Sequence, residues 1–388
     1  MKASLKLAGQ IMIDSVVLKF EQGQFTFVEN GYFDATSIKH MNQHVSVRKL
    51  FSNAYRQIKK EKRYFPVITP TVRTIHKGKD AGKVYTIEVQ VSLPKLLYGT
   101  NLWEVEPSDL ARIYSRLQSV LKEVGIGVTI ENIRSAVLKR VDFSKSIRLP
   151  SSYGSARTVI KQLSFIGHKQ RSDMRVRDYL DESDGVALKF HNLTQGYCIY
   201  DKFGEIIANG YTDIEMQWVD KMKELEQKRN LIRFELSLQR QQSLDAFLSR
   251  RVEGKKKGFT LADVMDKELS RKILLEVFDD TFDNLFACMV SLVEMRENDI
   301  ERLLIEQNLT LDKHSRLSYL VNMAVKIGVQ PALLQLKARS SDSTFRRYKK
   351  DVLEVISLLE GVEGESPYLL SFLRQKHEQF ELITPSKR

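Results

Sequence analysis

Cysteine is nearly missing from this chain: Cys198 and Cys288 are the only two in 388 residues, and they stand far apart. Two distant thiols make neither a disulfide framework nor a zinc site, and they suit a reducing compartment. Histidine is scarce too, with 7 residues and no metal-ligand spacing among them. In particular no His-apolar-His pair occurs, which excludes the way one endonuclease superfamily holds its metal. No apolar run is long enough to span a bilayer. Lys2, Lys6, Asp14 and Lys19 interrupt residues 1–20, so that stretch reads as neither signal peptide nor anchor. There is no internal repeat and no low-complexity tail. The expectation is a soluble chain inside a cell, with no membrane partner.

What the chain does have is positive charge. Lys and Arg number 61 against 49 Asp and Glu, a formal net charge of +12. The sequence pI is near 9.4. Such an excess favours a polyanion as partner, nucleic acid before anionic membrane. The apolar share of 42% is ordinary, and the length suffices for a sizeable core and two domains.

Alternation predicts strands over residues 11–20 and 25–28 (with a turn at Gly23), 84–91, 137–144, 186–191, 196–203 and Leu231–Leu238. A loop with Pro94 and Gly99 follows the 84–91 strand. Helical periodicity marks residues 108–124, where Leu110, Ile113, Leu117, Val120, Leu121 and Val124 form one stripe, and also 155–166 and 213–228. Beyond the charged, Gly-flanked run 250–258, strand patterns stop. Thr260 begins a helix, and helical stripes continue at 273–295, 315–327, 330–337 and 342–359. The fold expected is α+β. A mainly antiparallel sheet domain with crossing helices fills residues 1–250, and an all-helical domain fills 251–388.

Leu231–Leu238 organises the rest. Ile232, Phe234, Leu236 and Leu238 share one face, and Arg233, Glu235 and Ser237 the other. The arrangement recurs: Arg140 and Asp142 lie opposite Val137, Val141 and Phe143, while Cys198, Tyr200 and Lys202 share a face in 196–203. Glu88 stands opposite an apolar face in 84–91. If these strands are neighbours, one sheet face collects Glu88, Asp142 and Glu235 with Arg140, Lys202, Arg233 and Tyr200 among them. Clustered carboxylates suit a hard cation such as Mg²⁺ or Mn²⁺. Arg and Lys beside them suit a phosphodiester, and a phenol can attack phosphorus if its proton is drawn off. Each pair alone reads first as a surface ion pair or a hydrogen-bonded strand edge, and a lone Tyr as packing; period two does not say which strands are neighbours.

These residues resemble the gene II replication initiators of filamentous phage. The resemblance runs through Met12-Ile13-Asp14-Ser15-Val16-Val17-Leu18, Ile87-Glu88-Val89, Lys95-Leu96-Leu97-Tyr98-Gly99-Thr100-Asn101, Lys139-Arg140-Val141-Asp142, Tyr200-Asp201-Lys202, Leu231-Ile232-Arg233-Phe234-Glu235 and Ser343-Thr344-Phe345-Arg346-Arg347-Tyr348. It implies a site-specific nicking and joining enzyme of rolling-circle replication. Tyr200 would form a 5′-phosphotyrosine, and Asp142, Glu235 and Glu88 would hold the metal. Arg140, Lys202 and Arg233 would contact the scissile phosphate or orient the carboxylates. Tyr197, on the opposite strand face, is the competing nucleophile. Asp201 stands where the family usually has an apolar residue, so the strand bends there or its apolar side is partly wet.

The partners implied are origin DNA, single and double stranded, with a host helicase and polymerase, and the compartment is the bacterial host cytoplasm. Arg346, Arg347, Lys349 and Lys350 crowd the start of one C-terminal helix, as a helix in or beside a DNA groove would have them. A solvated helix face or a phosphate clamp would look the same. Two other readings stay open: a DNA-binding initiator or repressor without catalysis, and a metal-dependent nuclease that uses water.

Overall fold

A computed structural model describes residues 13–28, 62–75, 82–150, 153, 155–165, 175–179, 186–209, 212–217, 230–282, 310–327, 329–341, 343–348, 350–352 and 369–379. Its centre is an eight-stranded sheet, antiparallel at every described pairing, and the fold is α+β. The strands are β1 (Ile13–Glu21), β3 (Val67–Ile75), β4 (Gly82–Ser92), β6 (Val137–Arg148), β7 (Arg175–Tyr179), β8 (Ala187–His191), β9 (Gln195–Asp201) and β10 (Leu231–Leu238), in the order β3-β4-β1-β6-β10-β9-β8-β7. The short strands β2 (Thr26–Phe27) and β5 (Ile126–Gly127) pair with each other.

Alternation finds six of the eight strands, and the two it passes over close the edges. β3 carries Pro70, which lacks an N–H, and an edge strand tolerates that because its outer side needs no donor. β7 is five residues long with three charged ones, too short and polar to stand out as a pattern.

One sheet face is apolar and buried. Val16, Leu18, Phe20, Ile87, Val89, Val91, Val141, Phe143, Phe234 and Leu236 share one core with the helices laid over it. Those helices include α2 (Leu110–Glu123), whose buried Ile113, Leu117, Val120 and Leu121 lie in the expected stripe, and α3 (Ile130–Ser135) and α4 (Ala156–Phe165). α6 (Gln241–Leu248), α7 (Leu261–Val264), α8 (Lys267–Thr281) and α11 (Leu369–Gln379) add to the same core. Thr260 and Asp263 close a reciprocal capping box on α7, as the expected start at Thr260 requires. The division expected at residue 250 falls between α6 and α7, both of which contribute to this core. α9 (Leu311–Ile327) and α10 (Val329–Arg339) pack on each other. No described helix is long and apolar enough to cross a membrane.

Three local readings are corrected. The segment after β4 is helical rather than a loop: α1 (Leu93–Tyr98) takes Pro94 in its first turn, where no N–H is needed, and ends at Gly99 with φ 73°. The residues of 196–203 do not form one strand, because β9 stops at Asp201 and α5 (Lys202–Asn209) begins at once. Leu138, not Val137, joins the core, because β6 carries an irregularity opposite Val17 and Leu18 that reverses its alternation at Lys139. Of the expected 213–228 helix, 213–217 is helical and the remainder lies outside the described residues, as does 283–295.

Candidate active site

The opposite sheet face is polar because β6, β10 and β9 each present polar side chains at alternate positions, and the register brings them into line. Arg233 pairs with Ser146 on one side and Tyr200 on the other; Glu235 pairs with Ser144 and Cys198; Ser237 pairs with Asp142 and Gly196. Along this face runs a cleft of about 550 Å³, whose lining includes Asp14, Arg140, Lys189, Cys198, Tyr200 and Glu235.

Two hydrogen-bonded groups occupy its centre. The phenol of Tyr200 donates to Glu235 Oε2 at 2.9 Å. Beside them Arg140 donates from Nε to Asp142 Oδ1 at 2.9 Å and pairs through Nη2 with Oδ2, to which Ser15 also donates. Asp142 is buried, whereas Arg140 keeps 33% of its side chain exposed and so presents a cation to the cleft. Asp142 and Glu235 sit on neighbouring strands one diagonal step apart, roughly 7–8 Å between their backbones.

Beneath the cleft lies Arg233, fully buried and fully engaged. It donates to Ser146 Oγ at 2.9 Å, to Asp14 Oδ1 at 3.0 Å and to the Asn101 carbonyl at 2.6 Å. A small apolar cluster, separate from the main core, joins Leu102, Ile206 and Leu231 with Trp103 and Phe203 packed on it. Glu104 ties the same loop to β6, accepting from the Ser146 backbone N–H at 2.8 Å and pairing with buried Lys145 at 3.3 Å.

Electrostatics follow from this geometry. Burial pushes the Glu235 carboxyl up to about 7; Asp142 and Asp14 push the same way, and Arg233 and the Tyr200 hydrogen bond pull back. Burial and then Glu235 drive the Tyr200 phenol well above its usual range, so the resting phenol keeps its proton. Burial works against the charge on Arg140, but Asp142 outweighs it and the guanidinium stays charged.

The structure thus gathers Tyr200, Glu235, Asp142 and Arg140, and it treats the other expected residues differently. Arg233 is not available to a phosphate, since it is fully buried and each of its three nitrogens donates inside the protein, to Ser146, Asp14 and the Asn101 carbonyl. The carboxylate it binds directly is that of Asp14, rather than Asp142 or Glu235. Lys202 does not continue the strand. It opens α5, fully buried, with Nζ 2.7 Å from Glu205 and 5.6 Å from the centre of the Tyr200 ring. The bend expected at Asp201 is real: its Oδ1 accepts the N–H groups of Phe203 and Gly204, both at 3.0 Å, and turns the chain into α5. Glu88 shares the polar face but pairs with Lys19 in register and lies 3.9 Å from Lys139, outside the cleft lining. Tyr197 is buried in the core between Phe190 and Phe234 and has no access to the cleft. Arg346, Arg347 and Lys350 are exposed on helical residues 343–348 and 350–352; Lys349 lies outside the described residues.

Asp14 is the site residue that alternation misses. By parity it belongs with Val16, Leu18 and Phe20 in the core. The register of β1 against β6 steps from Ile13↔Phe143 to Ser15↔Asp142, so Asp14 is the extra residue of a bulge. The bulge turns its carboxylate toward Arg233. A polar residue at a position whose parity is that of the buried Val16, Leu18 and Phe20, inside the first segment of the family resemblance, was the signal the sequence offered.

Among the described residues no three His, Cys, Asp or Glu side chains form a ready-made metal cluster. Two carboxylates are still a fair fit for a hard divalent cation, which commonly keeps its waters and takes one or two carboxylates plus substrate phosphate. The raised pKa of Glu235, caused in part by Asp142 and Asp14, is the kind of repulsion such a cation relieves.

Residues 12–254 match the family model described as the N-terminal part of the replication-associated protein of filamentous phage, the gene II product. The cleft residues Arg140, Tyr200 and Glu235, and the Asp142 carboxylate buried behind Arg140, fall inside that span. No curated protein matches the chain, and no solved structure does.

Proposed function

This chain belongs to the filamentous-phage gene II replication-associated family, and on that premise we propose that it nicks and rejoins DNA through Tyr200. The family is one of rolling-circle replication initiators, so DNA is the partner. The observation that carries the finer reading is the 2.9 Å hydrogen bond from the Tyr200 phenol to Glu235, in a cleft that Arg140 also lines.

With its carboxyl near pH 7, Glu235 is partly ionised at neutral pH and accepts the phenolic proton as Tyr200 attacks phosphorus. The Oη–P bond forms as the P–O3′ bond breaks, leaving a 5′-phosphotyrosine and a free 3′-hydroxyl. That hydroxyl primes synthesis. Rejoining is the reverse attack, and because the phosphotyrosine keeps a diester bond, no ATP is required. Arg140 is a cation of the cleft available to neutralise a non-bridging phosphate oxygen, and its pairing with Asp142 fixes its direction. Asp142 and Glu235 would hold a Mg²⁺ or Mn²⁺ ion, whose contribution is to offset charge on the phosphate. Lys202 acts from beneath the Tyr200 ring as a positioning cation rather than as a phosphate contact. The exposed Arg346, Arg347 and Lys350 fit contacts to origin duplex, and a host helicase and polymerase in the bacterial cytoplasm would extend the exposed 3′-end.

The test is cleavage of supercoiled DNA from the replicon that encodes the chain, with and without Mg²⁺. Nicked circles carrying protein on the 5′-end after denaturation support the reading. Nicked circles with a free 5′-phosphate indicate a nuclease that uses water, and binding without cleavage indicates a non-catalytic initiator or repressor.

A further inference from the structure

The polar face does not end at Tyr200. In register, Glu235 and Cys198 continue to Lys189 on β8 and Arg177 on β7, while Arg233 and Tyr200 continue to Ala187 and Tyr179. Arg175 occupies the next row, opposite His191. The same face that is acidic on β6 and β10 is therefore basic on β8 and β7, with the Tyr200 phenol between. Lys189 and Tyr179 line the cleft itself, and Arg175 and Arg177 are exposed on the edge strand beyond it. None of these three cations makes an ion pair among the described residues. Their positive field is felt locally: burial lowers the pKa of His191, and Arg177, Lys189 and Arg175 lower it further.

We propose that this edge, Arg175, Arg177 and Lys189 with Tyr179 beside them, is the track that holds one flank of the single strand to be cut. Phosphates would lie on the three cations and one base on the Tyr179 ring. A single backbone suits a row of cations on one sheet edge, and an aromatic at its inner end is how single-stranded DNA is usually seated without sequence reading. The acidic end of the cleft repels phosphate, so the strand approaches from the basic side. The proposal rests on the Tyr200 reading only for where the track leads.

The experiment uses the full chain carrying Tyr200→Phe, so that binding is read without cutting. A fluorescent mixed-sequence single-stranded oligonucleotide and its duplex are titrated by anisotropy over a range of salt. Arg175→Ala with Arg177→Ala should weaken single-strand binding at least tenfold. It should also flatten the slope of log affinity on log salt by about 1.4, two phosphates at about 0.7 each. Duplex affinity should change less than twofold. Arg175→Lys with Arg177→Lys should restore both affinity and slope, and Tyr179→Ala should cost about fivefold or more with the slope unchanged. An unchanged slope in the alanine pair, an equal loss on duplex, or no rescue by lysine would overturn the track. Failure of the nucleophile reading looks different, as covalent capture of nicked DNA by the Tyr200→Phe protein.

Discussion

Arg233 and Asp14 meet at 3.0 Å although they stand 219 positions apart in sequence, and Asp14 in turn lines the cleft. A buried guanidinium with each of its three nitrogens bonded, paired with an acid turned inward at a bulge, fixes how β1 and β10 sit relative to each other across β6. This explains why Arg-x-Glu on β10 matters as a unit: one residue braces the cleft and the next but one faces into it.

Removing that brace should be costly. Arg233→Met leaves Asp14 buried without its cation and should destabilise the protein by about 3–5 kcal/mol. Arg233→Lys should not rescue it, since a single ammonium cannot reproduce a fork shared by three acceptors. Urea unfolding measures both, and a Lys variant of wild-type stability would refute the bracing role.

Tyr200→Phe should bring covalent capture of nicked DNA below detection while DNA affinity stays within about twofold, because only the phenol oxygen is lost. Tyr197→Phe should leave capture intact, as its ring lies in the core. Denaturing gels with 5′-labelled DNA would show both outcomes.

Glu235 in the cleft and Asp142 behind Arg140 should behave differently from Glu88, which pairs with Lys139. Asp142→Asn and Glu235→Gln should each reduce nicking at least a hundredfold. Glu88→Gln should change it less than threefold and stability by about 1 kcal/mol or less, the loss of an exposed pair with Lys139. A nicking defect in Glu88→Gln equal to that of Asp142→Asn would restore Glu88 to the site. Single-turnover rates at saturating Mg²⁺ decide it.

Glu235 also sets a pH dependence of stability. Its carboxyl is raised from an ordinary value near 4.5 to about 7, so the unfolded chain releases this proton first. Its contribution to stability is therefore full below about 4.5, falls as pH rises, and levels off above about 7. Glu235→Gln should lack that slope and should melt higher than wild type at pH 8 and closer to it at pH 5, in metal-free calorimetry. Adding Mg²⁺ at pH 8 should raise the wild-type Tm and leave Glu235→Gln unmoved.

Gly99 holds the loop that supplies the Asn101 carbonyl to Arg233. Its φ of 73° disfavours any side chain, and a Cβ there would stand 2.5 Å from Ile214 Cδ1. Gly99→Ala should cost about 1–3 kcal/mol by the left-handed strain alone, read as a lower urea midpoint.

The sequence by itself determined the period-two strands, their apolar faces and the helix over the sheet with its stripe, and it offered seven polar side chains without saying which of them meet. It could do so because alternation and helical periodicity are local consequences of backbone geometry. The tertiary structure alone decided what depends on neighbours. The order of strands placed Glu88 two strands from Asp142 and put a basic edge beside Tyr200. The bulge at Asp14 overruled parity, the Asp201 turn took Lys202 out of the strand, and burial spent the donors of Arg233 on protein acceptors. Residues adjacent in a pattern need not be adjacent in space, and only packing says which charges face water and which are enclosed with a partner.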